Sequence, residues 1–199
     1  MAFAIFQPVT VLPRLRPAPG FALVDEHGQR LTSEDVRGAI TLYTFEPLGC
    51  GAECAEVDRT MREVRDRVTR DIDLAGTPFR LVTIVLDADP APAALAAAAR
   101  AAGDEGDDWS WVGGSASEIT NVVGYGFRRR TLDDGEGFAP SYAIVDQVGT
   151  IRGEYRYGTL TDDADKLVRH IDLLGAELRN SGGLASFAYE AAHVFQCYP

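Results

Sequence analysis

Two successive cycles of an apolar run followed by a helical pattern limit most strongly what this chain can fold into. The runs "AITLYTF" (39–45) and "FRLVTIVLD" (79–87) are rich in β-branched and aromatic residues, which is typical of strands buried on both faces. Between them, apolar or small residues recur at helical spacing, at Cys54, Val57, Met61, Val64 and Val68. The second run leads into "PAPAALAAAARAAG", which has proline at its start and Gly103 at its end. The pattern predicts an α/β sheet whose parallel central strands are joined by crossover helices.

Turn and cap signals predict the remaining elements. A turn at 25–28 between short apolar runs predicts an N-terminal hairpin, and 147–149 in "PSYAIVDQVGTIRGEYRYG" predicts a second hairpin. Ser115 and Glu118 stand at capping-box spacing, which predicts a helix over about 116–124. A terminal helix is predicted over 161–178, with Thr161 as its N-cap, and "RNSGG" then separates it from an amphipathic tail.

Composition excludes several classes of protein. A chain of 199 residues with 46% apolar content fits one domain with one core. Its formal net charge of -11 argues against nucleic acid or an anionic membrane as partner. Pro8 and Pro13 interrupt an opening segment that lacks a basic region, and no apolar run approaches the roughly 20 residues of a membrane helix. We therefore expect a soluble chain without a signal peptide, cytoplasmic by sequence.

Cys50 and Cys54 lie where the first buried strand gives way to the first helix. Ligands collect at that edge of α/β sheets, and a helix N-terminus lowers the pKa of a cysteine there. Cys54 follows one helical turn later, at a Cα separation of about 6 Å that a disulfide can span. The same spacing can present two thiolates to a soft metal such as Cu(I). The spacing does not decide between these two. A third interpretation is that both are small buried residues, but function is favoured because glycines at 49 and 51 let other molecules approach the sulfur.

Four stretches within residues 18–178 stand out together: "FALVDEHGQRLTSEDVRGAITLYTF", "CGAEC", "FRLVTIVLDADP" and "PSYAIVDQVGTIRGEYRYG". With them, this part of the chain resembles the Sco/SenC branch of the thioredoxin-like superfamily. It implies a thioredoxin-like fold with a central mixed sheet flanked by helices and an N-terminal hairpin. Residues 1–17 would then be an extension and 179–199 a C-terminal amphipathic tail. Relatives usually work outside the cytoplasmic membrane, so the resemblance implies an extracytoplasmic location.

The same resemblance implies a function. The family pairs a CxxxC motif with a histidine to bind copper, and acts in cytochrome oxidase assembly or thiol–disulfide exchange. Cys50 and Cys54 match that motif, but Gly51 and Ala55 stand where the family usually has prolines. Phe138 falls near the position of the copper-binding histidine, and no histidine lies between His27 and His170.

Pro140 in "APSYAIVDQVG" carries a second resemblance, to the TlpA- and ResA-like thiol reductases. It implies a cis proline that faces the redox cysteines. The alternative is that Pro140 only begins a strand.

Several other residues receive simpler interpretations. Glu46 and Glu53 would raise the pKa of a nearby thiol by like-charge repulsion. We expect Asp87 and Asp89 to be helix N-terminal acids and Arg128, Arg129 and Arg130 to lie in a solvated loop. Trp109 and Trp111 are expected in the core, and His170 and His27 are not expected to be ligands. His193 and Cys197 could hold a metal, but packing is favoured there.

The leading hypothesis is a Sco/SenC-like electron transport protein that exchanges thiols and disulfides with a partner protein, using Cys50, Cys54 and Pro140 and no cofactor. The chief alternative is a Cu(I)-binding protein that delivers copper for cytochrome oxidase assembly through Cys50 and Cys54. Lower alternatives are a peroxiredoxin-like peroxidase, disfavoured by Pro47, and a non-catalytic binding scaffold. The apolar stripe of the tail could dock on the domain or on a second subunit, giving a homodimer.

Overall fold

The two predicted strand–helix cycles form the centre of an eight-stranded mixed sheet. The computed structural model describes residues 9–104, 106–129, 131, 140–156 and 163–195. Within them the strands are β1 (Arg16–Pro17), β2 (Ala22–Asp25), β3 (Arg30–Thr32), β4 (Ile40–Glu46), β5 (Phe79–Ala88), β6 (Trp109–Gly114), β7 (Ser141–Val145) and β8 (Thr150–Arg156). The helices are α1 (Ala52–Asp71), α2 (Pro92–Ala101), α3 (Ala116–Ile119), α4 (Asp163–Arg179) and α5 (Gly183–Phe195).

The strand order is β1-β8-β7-β4-β5-β6-β2-β3. The strands β4, β5 and β6 run parallel, as the crossover pattern predicted, and Thr44 pairs with Thr83 across the first two. The hairpin of β7 and β8 continues the sheet antiparallel on one side of β4. The hairpin of β2 and β3 continues it on the far side of β6. Both predicted hairpins and the predicted mixed sheet are confirmed.

Alternating side chains of β4 and β5 build a core on each face of the sheet. Leu42 and Leu81 point toward α1, α2 and α4, where they join Val57, Met61, Val64, Leu95, Leu167 and Ile171. Tyr43 and Val82 point the other way, toward α3, where they join Phe45, Ile84, Ile119, Val123 and Phe127. Every residue of β4 is buried, because helices cover both of its faces.

The predicted helix after Ser115 exists, but its second half is not α-helical. Ser115 and Glu118 form the expected capping box, with the Glu118 side chain accepting from the backbone N–H of Ser115 at 2.8 Å. From Thr120 to Gly126 the chain continues as a π-helix. The terminal helix begins, among described residues, at Asp163, and its predicted N-cap, Thr161, lies outside the described residues.

A buried arginine joins the last strand to the N-terminal segment and the last two helices. The Arg152 guanidinium contacts Asp146 at 3.1 Å and Glu177 of α4 at 2.7 Å, and donates to the carbonyl of Leu12 at 2.8 Å. On α5, His193 lies 3.1 Å from Glu177. These contacts hold α5 against α4, although Phe187 and Val194 of α5 remain 74% and 76% exposed.

The interpretation of Arg128, Arg129 and Arg130 as a solvated loop is wrong for Arg129. Its side chain is 14% exposed and lies 3.4 Å from Glu154, which also pairs with Arg16 at 2.7 Å. Trp109 and Trp111 are buried, as expected. None of the helices in the described part of the chain is both long and apolar enough to cross a bilayer.

Candidate functional site: the cysteine loop

The predicted cysteine loop connects the carboxyl end of β4 to the start of α1. Glu46 ends the strand, and α1 begins at Ala52. Gly49 and Gly51 adopt left-handed backbone conformations, with φ of 69° and 70°, which side chains with a Cβ rarely adopt. No atom of the described residues lies within 4 Å of where a Cβ would stand on either residue, so their backbone conformation, rather than crowding by those residues, calls for glycine here.

Cys50 and Cys54 form a disulfide, with a Cα separation of 5.6 Å. Both residues are half-buried, and both line an open cavity. The sulfur of Cys54 lies 3.6 Å from the carbonyl oxygen of Pro47, which can accept the thiol hydrogen once the disulfide is reduced. Cys50 stands just before the first turn of α1, where no side chain in the described part of the chain caps the free N–H groups and the helix dipole favours a thiolate.

A carboxylate from the next strand fixes the loop. The backbone N–H of Leu48 donates to Asp87 at 2.7 Å. Asp87 belongs to β5, so its interpretation as a helix N-terminal acid is wrong: α2 begins only at Pro92. The role escaped sequence reasoning because it depends on parallel pairing of β4 with β5, which brings their carboxyl ends together.

Two buried carboxyl groups, Glu46 and Asp58, lie beside the disulfide. Glu46 is 1% exposed, and neither of its oxygens has an N–H donor among the described residues; its neighbour is Asp58, with which it can share a proton. Burial and the adjacent Asp58 raise the pKa of Glu46 to about 9. Burial also raises the pKa of Asp58 to about 6, although the Arg62 charge opposes this. The pair therefore holds about one proton near neutral pH.

The cavity beside the disulfide has a volume of about 240 Å³. Its walls combine the cysteine loop and both carboxyl groups with apolar surface from Leu48, Ala98, Ala101 and Trp111. Arg62 is the cation in the cavity wall, and its guanidinium donates to the carbonyl of Ala102. The opening gives a partner group access to the sulfurs from solvent.

The predicted role of Pro140 stays a prediction. The bond predicted to be cis joins it to Ala139, which lies outside the described residues. The antiparallel register of β4 with β7 pairs Thr44 with Tyr142, and its continuation would set Pro140 across from Glu46. Phe138, at the position of the family histidine, and Cys197 also lie outside the described residues.

The three histidines do not join the cysteines. His170 is buried, with its Nδ1 2.6 Å from the Tyr155 hydroxyl, and burial lowers its pKa to about 4. His27 is exposed in the β2–β3 turn, and His193 contacts Glu177. The ligand atoms that do gather are one oxygen of Glu46 and the sulfurs of Cys50 and Cys54, all within 4.8 Å of one another.

Comparison with solved structures identifies the fold of this chain. Residues of this chain superpose on BsSco, a member of the Sco family of cytochrome c oxidase assembly proteins, with a TM-score of 0.69 at 18% identity over 83% of this chain and 97% of that one. Yeast Sco1 with copper bound gives 0.63 at 17% identity over 87% and 99%. The fold is that of the Sco/SenC proteins.

This Sco fold is thioredoxin-like, as expected. The thioredoxin domain of a thiol-disulfide oxidoreductase from Bacteroides vulgatus matches with a TM-score of 0.56 at 17% identity, over 78% of this chain and 93% of that one. No protein-family model and no curated protein matches the sequence. The fold is therefore shared at identities too low for these sequence comparisons to detect, and this chain has a bonded CxxxC pair in it.

Copper fits the site only in part. Two cysteine sulfurs are suitable soft ligands for Cu(I). The third ligand atom in reach comes from Glu46, and its carboxylate is a hard ligand rather than an imidazole. Among the described residues the cluster therefore departs from the family pattern of two cysteines and a histidine.

Proposed function

We propose that this chain is a Sco-like thiol–disulfide oxidoreductase in electron transport, in which Cys50 and Cys54 cycle between a disulfide and two thiols. One observation carries the proposal: a disulfide bridges the N-terminus of α1 at the carboxyl end of a central strand, on the wall of an open cavity. A structural disulfide has no need of this position, whereas an exchanging one needs partner access and a stabilised thiolate.

The exchange proceeds in two balanced steps. The Cys50 thiolate attacks one sulfur of a partner disulfide, forming a mixed disulfide and releasing the other partner sulfur as a thiolate. The Cys54 thiolate then attacks the Cys50 sulfur, which forms the intramolecular disulfide and releases the second partner thiolate. Two electrons pass from this chain to the partner, and the reverse sequence reduces the chain.

Glu46 and Asp58 suit the proton movements of this cycle. A Glu46 oxygen lies within 4.8 Å of both sulfurs, and the two carboxyl groups hold about one proton near neutral pH. The pair can accept the Cys54 proton before the second step and return it when the disulfide is reduced. Pro140 is proposed to flank the partner sulfur, as the resemblance to thiol reductases implies.

The proposal is tested by trapping the mixed disulfide. Reduced Cys54→Ser and Cys50→Ser proteins, both made with Cys197→Ser to remove the third thiol, are mixed with oxidised glutathione and analysed by mass spectrometry. We expect a stable adduct on Cys50 in the first variant and adduct formation at least tenfold slower in the second. Equal rates, or faster reaction of Cys54, would contradict the assigned roles.

Copper delivery through Cys50 and Cys54 is the second candidate, favoured by the copper-bound Sco structure among the structural neighbours. It stands behind thiol exchange because the described residues offer the two sulfurs no imidazole. For both activities, the Sco resemblance points to a partner protein from cytochrome oxidase assembly and to a location outside the cytoplasmic membrane. A homodimer through the exposed face of α5 stays a prediction.

A further inference from the structure

The reduced cysteine loop contains ligands that suit a divalent cation better than Cu(I). One oxygen of Glu46 lies within 4.8 Å of both sulfurs, which is the spread that a single ion can bridge. Asp58 follows Cys54 by one turn of α1, so it lies on the same face of the helix and lines the same cavity. Two sulfurs and one carboxyl oxygen thus converge on one point of the loop, and Asp58 lies on the wall of the same cavity.

The burial of Glu46 points independently to a cation. Its side chain is 1% exposed, and neither oxygen receives a hydrogen bond from an N–H group of the described residues. Asp58 is 9% exposed, and its Oδ1 also lacks such a donor. Burying these two carboxyl groups is costly unless they share a proton, and a cation between the Glu46 oxygen and the sulfurs would remove that cost in the same way.

We propose that the dithiol form of this chain binds one zinc-class divalent cation through Cys50, Cys54 and Glu46, with the fourth position open to the cavity. Zinc accepts cysteine sulfur and carboxylate oxygen together in a tetrahedral set, whereas Cu(I) gains little from hard carboxylates. The open cavity of about 240 Å³ provides an entry path. Because disulfide sulfurs carry no thiolate charge, the oxidised protein loses two of the three ligands, so the redox state controls binding.

The inference rests on the same cysteine pair as the proposed function, but its test is separate. Zn²⁺ is titrated into the reduced wild-type protein, carrying Cys197→Ser, against a chromophoric chelator. Co²⁺ is added in parallel because its absorption reports thiolate ligation and tetrahedral geometry. The matched variants are Glu46→Gln and Glu53→Gln, the second altering an exposed carboxylate between the two cysteines.

We expect one Zn²⁺ per reduced chain, affinity lowered at least tenfold by Glu46→Gln and less than threefold by Glu53→Gln, and no binding to the disulfide form. Cu(I) affinity should change less than threefold in Glu46→Gln, since two thiolates suffice for Cu(I). Zinc affinity that is insensitive to Glu46→Gln, equal in the oxidised protein, or absent in the wild type would overturn the inference.

Correct folding of Glu46→Gln is checked by its circular dichroism and by a cooperative urea unfolding transition. Absent zinc binding with normal glutathione trapping at Cys50 would overturn this inference and leave the proposed function standing. Zinc binding without glutathione trapping at Cys50 would support this inference and contradict the proposed function.

Discussion

The backbone N–H of Leu48 and the carboxylate of Asp87 meet at 2.7 Å, which fixes the cysteine loop to the end of β5. We predict that Asp87→Ala lowers the free energy of unfolding by about 1 kcal/mol, since Asp87 is only half-buried and its hydrogen bond is partly replaced by water. The freed loop should also let dithiothreitol reduce the disulfide severalfold faster. Asp107→Ala, at an exposed position, is the control. Identical behaviour of the two variants would show that Asp87 does not hold the loop.

Gly51 allows a second prediction about the same loop. Gly51→Ala should cost about 1 kcal/mol, because its φ of 70° strains any residue with a Cβ. Gly182→Ala is the matched control: its Cβ would also meet no atom of the described residues within 4 Å, and its φ is not left-handed. Because neither added Cβ is crowded by these residues, the difference between the two variants in urea unfolding measures the cost of backbone strain. A cost that is equal at both positions would mean that the conformation of Gly51 is not what requires glycine.

Glu46 should give the protein an unusual pH dependence of stability. Its pKa in the folded state, about 9, lies above the ordinary value of 4.5, so the folded state binds more protons than the unfolded state between these values. The stabilising contribution is complete below pH 4.5 and is lost as the pH rises toward 9. The free energy of unfolding of Glu46→Gln, relative to that of wild type, should therefore increase from pH 5 to pH 8. The increase is at most about 1.4 kcal/mol per pH unit.

This pH dependence is measured by urea unfolding of the oxidised proteins at pH 5 and pH 8. Glu53→Gln provides the control, since Glu53 is exposed in the same loop. A difference between wild type and Glu46→Gln that stays constant over this range would show that Glu46 is ionised in the folded protein.

Arg152 is predicted to be the costliest single charge to remove. Its side chain is 3% exposed, and Asp146 beside it is 4% exposed. Arg152→Leu would leave buried carboxylates unpaired, which costs about 3–5 kcal/mol. Arg70→Leu, which breaks an exposed pair with Asp71, should cost less than about 0.5 kcal/mol. Comparable losses in the two variants, measured by urea unfolding, would contradict the account of the buried network.

The sequence was sufficient to predict those elements that depend on local periodicity and on turn residues. The β-branched composition of β4, the helical spacing from Cys54 to Val68 and the turn at Gly149 were enough for the central strands, α1 and the second hairpin. The position of Cys50 at the strand–helix junction followed from the same patterns. The conversion of α3 to a π-helix did not follow, because its capping box specifies only where the helix begins.

Contacts between residues far apart in the chain could not be predicted from local sequence patterns. Glu46 and Asp58 become neighbours only when α1 lies against β4 in one particular rotation, and Asp87 reaches Leu48 only through the β4–β5 register. The burial of Arg129 was not predicted, because three successive arginines are typical of a solvated loop. In the structure, Arg129 is partly buried beside Glu154 of β8, with which it forms an ion pair. An acid at the end of an otherwise apolar strand, four residues before the first cysteine, was the signal that could have identified Glu46.

The central claim, reversible thiol–disulfide exchange by Cys50 and Cys54, is tested most directly by equilibrium with glutathione redox buffers. The Cys197→Ser protein is equilibrated over a range of ratios, quenched by alkylation, and its free thiols are counted by mass spectrometry. The account predicts that both thiols disappear together in one two-electron transition, without accumulation of glutathione adducts. Sulfurs that stay reduced at every ratio, or that stop as separate glutathione adducts, would contradict it.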